Sequence, residues 1–234
     1  MRGNPIIPAA LAALLLAACQ NAPTAPQGAA PALAPLPALP PAGAVHYTVD
    51  PERSDVRFLV YKAGALSSFG HDHVIAARGI QGDVYVAPNF ADSGFALTLP
   101  VKQFQVDLPE LRAVEGPDFA KQPSPQAVAG TLANMLGAQE LDANHYPEIH
   151  VRSVKLTGPE WGPDLTVRIG LHGVERDITL PVAIGRQGDE LTVTGGFDIR
   201  QTDFGITPLS ILGGGIQVAD TVHIRFRIVA VKAG

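Results

Sequence analysis

From residue 45 onward, apolar side chains recur at every second position, and this period constrains the fold more than any other feature. Side chains of a strand alternate between its two faces, so apolar–polar alternation marks strands with one buried face. Val45, Tyr47 and Val49 form one such set, and Val56, Phe58 and Val60 form the next. The period returns over 95–101, 149–151, 165–171, 178–184, 191–193, 197–199 and 222–228. Turn residues separate the sets: Asp50-Pro51, Gly79, Gly82, Pro88-Asn89, Gly158-Pro159, Gly173, Gly188-Asp189 and Gly213-Gly214-Gly215. The pattern predicts an all-β, antiparallel domain of about eight strands over 45–234, stacked as a sandwich or closed into a barrel. One helix interrupts it. Ser124 stands as N-cap and Pro125 as first helical residue, Val128, Leu132, Met135 and Leu136 share one face, and Gly137 closes the helix. The stretch 109–146 is therefore a helical insertion between two β halves.

An eight-stranded barrel has room inside for side chains or one small ligand. Its inner face here is Val, Ile, Leu and Phe, which suits an apolar guest. The candidate ligand-contacting residues are Phe58, Val60, Leu97, Leu99, Val167, Ile169, Leu180, Val182, Phe197, Ile224 and Phe226.

The first 44 residues are not fold. Arg2 precedes an apolar run over 9–18, too short to span a bilayer, which needs about twenty residues as a helix. A short apolar run ending in small residues is a signal-peptide pattern. It ends at Leu16-Ala17-Ala18-Cys19, where the single Cys of the chain stands. This resembles the lipobox of bacterial lipoproteins, which implies cleavage before Cys19 and lipid attachment to its sulfur. Residues 20–44 hold seven Pro and no charge, the composition of an extended tether. The expected organisation is signal peptide 1–18, tether 19–44 and β domain 45–234.

Charge and motifs exclude several functions. With 17 Lys+Arg against 22 Asp+Glu, the net charge is −5, which argues against a nucleic-acid binder, since that needs a basic face to neutralise phosphates. One Cys permits no intrachain disulfide or Cys-rich zinc site. There is no G-x-S-x-G elbow, H-E-x-x-H, phosphate-binding loop or dinucleotide fingerprint, so an enzyme is not expected.

His71-Asp72-His73 is the sharpest local signal. Imidazoles at i and i+2 on extended backbone face the same side, and Asp72 can fix a tautomer or add a ligand. Zn²⁺ or Cu²⁺ would accept His71 and His73, but a closed site needs three or four ligands. The period places His150, His172 and His223 on the outside. Capping of a turn, or polar contact with a ligand head group, are the other readings. Arg200 and Asp203 read as a turn-fixing ion pair.

Four stretches resemble the YceI-like family. Tyr47-Thr48-Val49-Asp50 with Ser54-Asp55-Val56-Arg57-Phe58 is similar to its opening strands. Tyr146-Pro147-Glu148-Ile149 followed by Ser153 is similar to its mid-chain element. The run 165–174 into 178–182 resembles its hairpin, and 199–205 its Arg-containing turn. The resemblance implies a lipocalin-like periplasmic barrel holding a polyisoprenoid chain, such as an isoprenoid quinone. Two stretches depart from the pattern: Ser68–Ile75, with its histidines, and the long insertion.

The expected function is thus that of a lipid-anchored envelope protein that carries or sequesters an isoprenoid-type molecule, with no covalent chemistry. Gln20 after Cys19 favours the outer membrane. A metal-binding protein using His71 and His73, or a structural module with a filled barrel, are the alternatives. Oligomeric state stays open.

Overall fold

The computed structural model describes residues 40–234. The expected signal segment, Cys19 and most of the tether lie outside them. Twelve strands run in order: β1 (Val45–Val49), β2 (Asp55–Ala63), β3 (His73–Ala77), β4 (Gln81–Val86), β5 (Gly94–Pro100), β6 (Gln105–Val106), β7 (Glu148–Thr157), β8 (Asp164–Leu171), β9 (Val174–Gln187), β10 (Glu190–Arg200), β11 (Ser210–Ile211) and β12 (Ile216–Lys232). Two helices, α1 (Pro109–Arg112) and α2 (Pro125–Leu136), lie in the insertion.

Eight of the strands close a ring in the order β1-β4-β5-β7-β8-β9-β10-β12, sealed by the β1–β12 pairing. All pairings are antiparallel. Closure removes the exposed edges that an open sheet would leave. The count rises to twelve because β12 is 17 residues long and takes two partners along one edge. Its first part pairs with β2 and its last residues with β1, while β10 follows the other edge for eleven register pairs. The chain between β1 and β2 bends at Asp50–Ser54, and β3 and β6 continue the wall outward from β2. A register shift between Val218 and Val222 bends β12 where it leaves the ring.

The alternation read from the sequence sets the register. Phe197 pairs with Ile224, Ile224 with Phe58, Leu97 with Val151 and Val167 with Ile178, so apolar side chains face one another across adjacent strands. Gly195 occupies an inward position, where a Cβ would come within 2.7 Å of the Phe226 ring. Its missing side chain lets Phe226 stand in the lumen against Phe197, ring centroids 6.3 Å apart. At the β8–β9 turn, His172 and Gly173 both have positive φ (52° and 74°), as a two-residue hairpin of this twist requires.

The insertion closes one end. The Ser124 hydroxyl accepts the Ala127 amide at 3.2 Å, and Val128, Leu132, Met135 and Leu136 pack on the barrel core. Gly137 follows α2 but is extended (φ −69°, ψ 166°) rather than left-handed. The chain then folds back, with the Leu141 amide donating to Met135 O and that of Ala143 to Leu136 O. This return brings Glu140 and Leu141 over the barrel end.

Candidate functional site

The lumen is not filled by its own side chains, which removes the filled-barrel alternative. It holds two lobes. The first, about 130 Å³, is lined by strand residues alone, from Val56 and Val84 to Phe226 and Ile228, and every lining residue is apolar. The second, about 170 Å³, lies toward the insertion and adds polar groups: His73, Thr131, Asn134, Glu140 and Gln201. Phe58, Ile149, Leu171 and Ile199 line both lobes and form the collar between them.

Of the residues singled out from sequence, Phe58, Leu97, Leu99, Val167, Ile169, Leu180, Phe197, Ile224 and Phe226 line the first lobe, and Val60 lines the second. Val182 is buried in the core without lining either. The polar contributors from the insertion were not among the sequence candidates, because helical spacing marks the face of α2 that packs but not what it packs over. Thr131, Asn134 and Met135 stand at i, i+3 and i+4 on that helix, and this shared face was the available signal.

His73 begins β3 at the rim of the second lobe. Its Nδ1 lies 2.7 Å from Asp107 Oδ2. Asp107, not Asp72, is thus the carboxylate that orients the histidine. Asp72 turns the other way, accepting from the Lys62 amide at 2.9 Å and pairing with Lys62 Nζ. His71 and His73 ring centroids stand 6.2 Å apart. Among the described residues, no three His, Cys, Asp or Glu side chains come together in a way that could hold a metal ion.

Asp107 is the centre of a buried polar clamp. Its side chain is wholly enclosed and its backbone is left-handed (φ 56°). It accepts from the Val74 amide at 3.0 Å, from His73 and from Arg112. Arg112 also donates to Asp72 O and Lys121 O, each at 2.7 Å, and lies over the Phe119 ring. Burial opposes ionisation of Asp107. The hydrogen bonds from His73, Val74 and Arg112 and the charge of His73 overcome that cost and hold its carboxyl below the ordinary range. The clamp ties the start of the insertion to β3. Burial lowers the pKa of His71, and the neighbouring His73 adds to the shift.

Glu140 has the opposite environment. Burial at the cavity rim raises its pKa to about 7, and among the described residues its carboxyl has no hydrogen-bond partner. Outside the barrel, several polar groups pair with one another. Arg200 and Asp203 form the expected bidentate turn pair at 2.8 and 3.1 Å. His223 meets Asp198 at 2.6 Å, and His172 packs beside Tyr146.

An apolar cavity of about 150 Å³ in a protein core stays dry and accepts apolar guests. The first lobe has that chemistry and nearly that size. A family model described as the YceI-like domain matches residues 47–230. No curated protein matches the chain. Among solved structures, Burkholderia cenocepacia BcnA is similar with a TM-score of 0.58 at 19% identity, covering 78% of this chain and 99% of its own. A domain of Saccharophagus degradans, described as polyisoprenoid binding and implicated in plant cell wall breakdown, has a TM-score of 0.56 at 13% identity, covering 81% and 99%. At these identities the likeness is one of fold.

Proposed function

Since this chain belongs to the YceI-like domain family, we propose that it is an envelope lipoprotein whose barrel holds the apolar chain of an isoprenoid-type amphiphile, such as an isoprenoid quinone. The protein carries or sequesters that molecule and makes or breaks no bond in it. The observation that carries this reading is the first lobe, lined by apolar side chains alone. Each methylene moved from water into such a lobe contributes about 0.8 kcal/mol, so a chain of isoprene units gains affinity with every unit enclosed. The export signal, Cys19 and the Pro-rich segment support attachment to a membrane, with the outer membrane favoured by Gln20.

Titration of delipidated protein with a fluorescent polyprenyl probe tests the binding. Saturation at one probe per chain is expected, and signal no greater than with an unrelated protein overturns it. Palmitate labelling tests the anchor separately: label lost in Cys19→Ala supports it, and label retained refutes it.

A further inference from the structure

Leu66, Phe69, Ile211 and Leu212 are large apolar side chains left in water, Phe69 at 75% exposure and Leu212 at 71%. They stand on two loops that the fold joins into one tip. Ser67–Phe69 forms a single 3₁₀ turn after β2, and Ile211 ends β11, paired with Ile216 of β12. The Leu66 amide donates to Gly215 O at 2.7 Å, and a Cβ at Gly64 would come within 2.5 Å of that same oxygen, so the glycine lets the loops meet. Leu212 has φ 54°. Left-handed backbone is rare for a bulky residue, and here it holds a leucine out from the surface. Residues 63–71 and 204–219 contain no Asp, Glu, Lys or Arg. Leu209 and Val218, on either side of the second loop, line the second lobe.

We propose that this tip docks on a lipid surface, its four apolar side chains entering the acyl region of a bilayer. Four protruding side chains are few beside the about 20–30 residues that a protein interface uses on each side, and a fluid bilayer takes them in without a matching pocket. With no charge on either loop, entry desolvates no ion and needs no anionic lipid. The chain ahead of the barrel brings a bilayer within reach. It enters at the opposite end, where Tyr47 pairs with Lys232. β12, 17 residues long, measures about 56 Å, whereas residues 20–44 can span up to about 85 Å. A chain anchored at Cys19 can therefore turn its far end back to the same membrane. The inference rests on that anchor for proximity alone and goes beyond it: the tip is a second, separate membrane contact, and it sets the second-lobe end of the barrel at the lipid.

The chain's single Trp serves as the control, because it marks the other end. Trp161 is 74% exposed and its O accepts from the Ile184 amide. Ile184 lies level with Ile228 through Val193, twelve residues along β12 from Ile216. The protein purified from cell envelopes is mixed with phosphatidylcholine vesicles brominated in their acyl chains. The variant Phe69→Trp/Trp161→Phe moves the indole to the tip, and both positions are exposed, so packing is kept. Fluorescence at position 69 should be quenched by about half or more and shift to the blue, equally at about 0.1 M and about 1 M salt, while Trp161 of the unaltered protein stays unquenched. Leu212→Asn, added to that variant, suits the left-handed backbone better than leucine, so Tm should not fall, yet the lipid needed for half-quenching should rise about tenfold. Protein that sediments with the vesicles while position 69 stays bright, or equal quenching of Trp161, overturns the tip and leaves the anchor standing. Unquenched protein left in the supernatant overturns both.

Discussion

The two lobes share a collar but are built by different rules. The first is walled by long strands, and its chemistry follows from alternation: each inward residue of β5, β8, β10 and β12 is apolar, and its cross-strand partner matches it. The second borrows side chains from β3, from α2 and from the return after Gly137, and long-range polar contacts hold those pieces in place. The first lobe is set by a local pattern repeated over many strand positions. The second depends on a single buried carboxylate.

The sharpest way to break that contrast is Asp107→Ala. It leaves Arg112 buried with its charge uncompensated, which costs about 3–5 kcal/mol. Thermal unfolding should show a Tm lower by roughly 10 °C, at 2–4 °C per kcal/mol for a domain of this size. A change under 1 kcal/mol would mean that the clamp does not hold the insertion. Acid probes the same group. The carboxyl of Asp107 has a folded pKa below its unfolded value, so its contribution is present above the unfolded value and is lost as pH falls through the folded one.

A large residue in the strand-lined lobe should separate binding from folding. Val193→Trp points a ring into that lobe. Stability should change by about 1–3 kcal/mol, while affinity for a polyprenyl probe drops tenfold or more. Unchanged affinity would remove the first lobe from the site.

Glu140 gives a smaller, pH-dependent effect. Its folded pKa is raised to about 7, so the neutral form dominates below that pH and the charged form above it. Charge beside an apolar guest is costly, so affinity should fall severalfold as pH rises through about 7, and Glu140→Gln should flatten the profile. Titrations at pH 6 and pH 8 check this, and identical slopes in the two proteins would rule it out. The smallest effect belongs to the outer wall. Arg168→Ala, which removes an exposed bidentate pair with Asp177, should cost about 0.2–1 kcal/mol in denaturant unfolding and leave binding unchanged.

The same contrast explains what could be read before any coordinates. A period of two is a local property, so β1, β2, β5, β7, β8, β9, β10 and β12, most of the inward residues and the helix with its Ser124 cap were legible, whereas β3, β4, β6 and β11 carried no such pattern. The two partners of β12 along one edge were not legible either, because a bulge leaves no mark in an apolar pattern. Val182 shows the limit of alternation: it identifies an inward side chain but not whether that position faces space or packed atoms. His73 was visible, yet its partner was sought one residue away at Asp72. The structure supplies Asp107, 34 positions on, through a left-handed backbone that nothing in the local sequence announces.

Native mass spectrometry of the protein extracted gently from cell envelopes tests the occupancy of the lumen most directly. The account predicts a second mass peak above the bare chain by the weight of one isoprenoid-type lipid, lost on delipidation and restored when that lipid is added back. A bare mass alone, before and after the addition, would contradict it.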